Sequence, residues 1–202
     1  MTATDDPAQP RISPLPKAEW STEMTTFLAG FRTAAATGAE PSGGRQSGAN
    51  LLGTLARYPA LAKPFLTFTG HFLSGSTLTA RQRELLVLRV AAVRRCGYEW
   101  AQHVILAEGA GLGPEEITRI SEGPAAPGWS ATDRRLLTAV DELLADGVVR
   151  EDTWNALATE FDEHQLMDLV FVVGTYTMLA MALNSFAVPA EAALVPFLPA
   201  DG

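Results

Sequence analysis

Apolar residues in this chain recur every three or four positions, and no stretch shows the repeated alternation that a sheet strand needs. That pattern restricts the fold to helices packed on helices. It predicts helices over about residues 18–36 (Trp20, Met24, Phe27, Leu28 and Phe31), 50–57, 59–73 (Leu61, Phe65, Phe68 and Phe72), 79–94 and 97–110. A short helix starts near Pro114, and three more cover 131–145, 151–161 and 162–186. Their ends carry chemical punctuation. Thr79 with Gln82, and Asp162 with Gln165, have the spacing of capping boxes, and Ser130 with Asp133 that of an N-cap. Gly111 closes one helix and Pro114 suits the first turn of the next. The segment 37–48 is rich in Gly and Ser and reads as a linker or a loop over a site. We therefore divide the chain into residues 1–47, an arm, a helix and that loop, and residues 48–202, a helical domain.

With 202 residues, 47% hydrophobic and 19% charged, the chain is long enough to bury a core of its own. Its net charge is −8, and its basic residues come as isolated pairs: Arg81/Arg83, Arg94/Arg95 and Arg134/Arg135. Nucleic-acid binding needs a basic stripe, so no nucleic-acid partner is expected. The single cysteine, Cys96, rules out an intrachain disulfide and favours a reducing compartment. The first residues lack the basic start and apolar core of a signal peptide, and a cytoplasmic location is expected. Leu166 to Leu183 approaches the length of a membrane span. It is interrupted by Asp168, Gly174, Thr175, Tyr176 and Thr177 and has no basic flanks, so a core or interface helix is expected and no membrane partner.

One cluster of residues has the types that chemistry uses. On a helix, Cys96, Glu99 and His103 fall at i, i+3 and i+7, on one face. Glu99 and His103 are four apart and within possible hydrogen-bond reach, the arrangement by which a carboxylate orients an imidazole for acid/base work. Cys96 falls at the start of that helix, where free amides and the helix dipole favour a thiolate. Glu84, on the preceding helix, shares a stripe with Leu88, Ala91 and Arg95. Tyr98 is a candidate donor to an oxyanion, and Arg89 and Arg95 are candidates to hold a substrate carboxylate. Cys96, Glu99 and His103 together have donors that could bind zinc, but no His-x-x-x-His or His-Glu-x-x-His pattern accompanies them, and no metal is expected. His71 and His164 stand apart from the cluster. Asp168, Tyr176 and Asn184 are polar points in an apolar helix, expected to satisfy each other or a neighbouring subunit. Gly43-Gly44-Arg45 lacks the Lys-Ser/Thr of a phosphate loop.

The stretch from Leu78 to His103, with Glu84, Cys96-Gly-Tyr98-Glu99-Trp100 and His103, resembles the carboxymuconolactone decarboxylase/alkylhydroperoxidase D-like family. So does the sequel through Ala107-Glu-Gly-Ala-Gly-Leu112 and Glu115-Glu-Ile117. In that family's redox members a glutamate, eleven residues and then Cys-x-x-Cys-x-x-x-His carry the chemistry. Glu84, Cys96 and His103 match the glutamate, first cysteine and histidine. The second cysteine's place holds Glu99. The resemblance implies an all-α fold, no cofactor, a small-molecule substrate and a homo-oligomer (dimer, trimer or hexamer). With one thiol, an oxidised Cys96 would need an outside thiol to restore it. The Glu99 variant therefore resembles the non-peroxidatic branch, in which decarboxylation or a related lyase or isomerase step proceeds by proton transfer. His103 would transfer the proton, Glu99 would orient it or act as the acid, and Glu84 would support them. The rival functions are a thiol-dependent peroxide reductase using Cys96 and a non-catalytic small-molecule-binding oligomer.

Overall fold

The computed structural model describes residues 9–37 and 48–199, the side chains of 31–37 excepted. Most of the Gly/Ser-rich segment, and the domain boundary drawn after residue 47, lie outside the described residues. Among the described residues, nine α-helices follow in order: α1 (Thr22–Thr37), α2 (Ala49–Leu55), α3 (Pro59–Ser74), α4 (Ala80–Val93), α5 (Gly97–Gly109), α6 (Pro114–Glu122), α7 (Ala131–Asp146), α8 (Glu151–Leu157) and α9 (Glu163–Phe186). Two 3-10 turns, Lys17–Glu19 and Ala192–Phe197, flank them, and no described residue lies in a strand. The fold is all-α.

Capping chemistry sets the helix ends. The Thr79 hydroxyl accepts from the Gln82 amide and the Gln82 side chain accepts from the Thr79 amide, and Asp162 and Gln165 repeat the exchange at α9. The Ser130 hydroxyl accepts from the Asp133 amide at α7. Two predicted boundaries move. The first helix begins at Thr22, behind Ser21, whose hydroxyl accepts from the Met24 amide. The helix expected to reach 161 stops at Leu157, because the chain turns there and sends Phe161 into the core.

The centre of the molecule is α4. Leu85, Leu86, Val87, Leu88 and Val90 have no exposure to water, since α5, α6, α7 and α9 pack around the helix. Burying five such side chains contributes about 1.5–3 kcal/mol each. Met24 and Leu28 of α1 pack with Ala56, Ala62 and Leu66, so the N-terminal helix lies against α3. The third cluster gathers Cys96, Tyr98, Ala101, Ala180, Leu183, Val188 and Leu194, where the 3-10 turn after α9 returns over the start of α5. By length and composition α9 could cross a membrane, but half of its most apolar stretch is buried inside the protein, as a core helix requires.

Candidate active site

The turn between α4 and α5 places the cysteine. Arg95 adopts the left-handed conformation (φ 50°), and the amides of Arg95 and Cys96 donate back to Ala92 and Ala91. That helix-closing turn usually holds glycine. It brings Cys96 to the N-cap of α5, with Glu99 in the first turn and His103 one turn further on. Glu84, Cys96, Glu99 and His103 are all buried.

His103 takes its partner from the neighbouring helix. Nδ1 lies 2.6 Å from Glu84 Oε2, and Arg83 Nε donates to Glu84 Oε1 at 3.2 Å. The pairing of His103 with Glu99 that their i, i+4 spacing suggested is not formed. The reason is competition across the α4/α5 contact, where Glu84 meets the imidazole directly. No described residue hydrogen-bonds His103 Nε2, and the edge of the ring meets Tyr176 with centroids 5.0 Å apart.

Glu99 is 2% exposed, and neither carboxyl oxygen has a hydrogen-bond partner. Burial pushes its pKa well above the carboxylate range, which outweighs the pull of the helix N-terminus toward the ionised form. Burial thus favours the protonated form of Glu99 over the carboxylate. The thiolate expected at Cys96 is also corrected. The backbone of Tyr98 and Glu99 pulls its pKa down without a hydrogen bond to the cap side chain, but burial, with Glu99 adding to it, pushes the thiol up to about 12. Burial, then Glu84 and Glu99, push the Tyr176 phenol up as well.

The other candidates are held elsewhere. Tyr98 donates to Glu191 Oε1 at 3.0 Å and accepts from the Leu51 amide at 3.3 Å, tying α5 to α2 and to the chain after α9. Burial and the Glu191 charge raise its pKa. Arg89 binds Asp141 through two nitrogens, at 2.7 and 2.9 Å, and donates to the Ile120 and Ser121 carbonyls. It has no free edge for a substrate carboxylate, and its role is to lock α4 to α6 and α7. Arg95 is exposed at the left-handed turn.

Of the polar points on α9, only Tyr176 joins the site. Asp168 accepts from His71 Nε2, the Ser76 hydroxyl, and the Thr77 amide and hydroxyl. Burial works to raise its pKa, but these four bonds hold it below the ordinary value. The Asn184 amide donates to the Arg94 carbonyl. Arg83 and Glu191 were not singled out in the sequence. Arg83 is one residue from Glu84, and nothing local marks Glu191. Among the described residues, no three His, Cys, Asp or Glu side chains converge as a metal site would require.

A buried glutamate–histidine pair between two helices, a second buried acid and a cysteine at the helix cap are thus gathered in one all-α bundle. Residues 59–142 match the model of the carboxymuconolactone decarboxylase family, and this stretch holds Glu84, Cys96, Glu99 and His103. No curated protein matches the sequence. Among solved structures, the alkylhydroperoxidase AhpD core protein from Ralstonia eutropha JMP134, an uncharacterised peroxidase-related protein, superposes with a TM-score of 0.72. It is 18% identical, over 91% of this chain and 94% of that one. An uncharacterised peroxidase-related protein from Silicibacter sp. TM1040 gives 0.68 at 19% identity, over 96% and 97%. The debrominase Bmp8, as a cysteine-to-alanine variant in complex with 2,3,4-tribromopyrrole, gives 0.72 at 12% identity, over 95% and 97%. At these identities the likeness is one of fold.

Proposed function

We propose that this protein is a cofactor-independent enzyme of decarboxylase type, moving a proton to carbon on a small organic acid or lactone. The observation that carries the reading is Glu99: buried, free of hydrogen bonds, its pKa pushed up by burial, and one helical turn from the His103 ring that Glu84 holds. In a decarboxylation the bond between carbon and the carboxylate breaks, CO₂ leaves, and the electron pair stays on carbon as an enolate. Glu99 gives its proton to that carbon. The negative charge lost by the substrate then resides on Glu99, so the net charge of the buried site does not change during the step. His103 returns a proton from solvent to Glu99 through Nε2, while Glu84 fixes the ring. Each turnover consumes one proton. General acid/base catalysis of this kind works best when a proton is held where it is needed and water does not compete for it.

The thiol-dependent peroxide reductase is the second reading, supported by the place of Cys96 at the N-cap of α5, where the backbone of Tyr98 and Glu99 pulls its pKa down. A thiol pushed up to about 12, with no second cysteine to resolve it, favours the acid/base reading instead. The debrominase neighbour illustrates how one fold carries several chemistries. We further propose a cytoplasmic homo-oligomer that binds a small molecule, without a nucleic-acid or membrane partner.

The test is CO₂ release from carboxymuconolactone and related lactone and β-keto acids. We expect folded His103→Ala and Glu99→Gln each to lose about 10²–10⁴-fold in kcat. Unchanged turnover in both would overturn the mechanism. So would robust peroxide reduction with dithiothreitol that disappears in Cys96→Ser.

A further inference from the structure

A pocket of about 130 Å³ lies between α2, α3 and α9. Its walls include Leu51 and Leu55 of α2, Phe65 of α3, and Met178, Ala182 and Phe186 of α9. None of the residues lining it is ionisable. Thr54 brings the one side-chain hydroxyl, and that hydroxyl already donates to the Asn50 carbonyl at 2.9 Å. Ordered water needs two to four polar partners, and the side chains here offer none. An ion entering would lose its hydration without replacement. The volume is close to that of the engineered apolar cavity, roughly 150 Å³, that stays dry and takes up benzene.

We propose that this pocket is a binding site for a small, uncharged, apolar molecule or group about the size of a benzene ring. The floor is interior, with Thr54 and Leu183 buried, and Leu61 and Met178 stand exposed at the rim. A flat face of a second copy would cover that rim and leave the floor empty, whereas a compact ring fills it. Leu51, Leu179, Leu183, Phe186 and Val188 line the pocket and also pack in the cluster that buries Cys96 and Tyr98. An occupant therefore presses on the layer that encloses the cysteine. The site goes beyond the acid/base reading and stands whether or not that reading holds.

The experiment is a fluorine-NMR titration of the full chain with fluorobenzene, beside the charged comparison 4-fluorobenzoate. Saturable binding of fluorobenzene is expected with a dissociation constant of about 1 mM or tighter. The benzoate should bind at least about tenfold more weakly, because its carboxylate would be buried unpaired. Ala182→Phe, which fills the pocket from α9, should abolish binding, and the gentler Ala182→Leu should weaken it. If Ala182→Phe does not fold, Ala182→Leu decides the matter. Thr54→Val should bind as the wild type does, since the hydroxyl is already committed. No saturable binding up to the solubility limit would overturn the proposal. Equal binding of the benzoate, or wild-type binding by folded Ala182 variants, would do the same. A smaller mass by light scattering in the Ala182 variants would also overturn it, as the mark of a pocket filled by a second copy.

Discussion

Glu84 and Glu99 are 1% and 2% exposed, yet their surroundings assign them opposite tasks. Glu84 meets His103 on one oxygen and Arg83 on the other, whereas Glu99 meets nothing. A buried carboxyl with no partner keeps its proton, because the charged form loses its hydration without compensation. In the unfolded chain Glu99 titrates near 4.5, and in the folded protein it titrates well above that value. The folded state thus binds the proton more tightly. Its contribution to stability is fully present below about pH 4.5 and is lost as pH rises toward the folded-state pKa. Glu99→Gln removes this dependence. As pH rises above about 4.5 the variant should gain on the wild type in urea melts. Parallel stability curves would contradict the assignment. Helical spacing put Cys96, Glu99 and His103 on one face, whereas Glu84 entered through the family resemblance. It did not indicate who partners whom: the His103–Glu84 contact crosses nineteen positions and depends on how α4 packs on α5.

At the scale of elements, helix boundaries were the most legible feature, since a cap is a local exchange between residues three apart. Thr79/Gln82, Ser130/Asp133 and Asp162/Gln165 all form as their spacing implies. Less legible was the use made of polar residues within an apolar helix. Asp168, Tyr176 and Asn184 share α9, but one anchors the loop before α4, one meets His103 and one holds the end of α4. The outer face of α9 raises a separate question. Met167, Phe171, Met178 and Met181 are each half-exposed or more and form one stripe, with Phe68 of α3 beside Phe171 at 6.1 Å. An apolar stripe of this kind marks an interaction surface. We expect light scattering to give a multiple of the 21.5 kDa chain mass, and Phe171→Glu with Met178→Glu to lower it. A monomer mass for the wild type at micromolar concentration would refute self-association through α9.

Across the whole molecule, the absence of strand periodicity was enough to define the fold class, and the block from Leu78 to Ile117 pointed to the family whose model matches residues 59–142. The protonation states were not readable in the sequence. Residue types at a helix start favour ionised Cys96 and Glu99, and only the enclosure built by α4, α9 and the segment after α9 reverses both. That reversal is the central claim, and infrared difference spectroscopy tests it without knowledge of the substrate. In the spectrum of wild type minus Glu99→Gln at neutral pH, the account predicts the carbonyl band of an un-ionised, non-hydrogen-bonded carboxylic acid, shifting in D₂O. A difference spectrum holding only the paired bands of a carboxylate would contradict it.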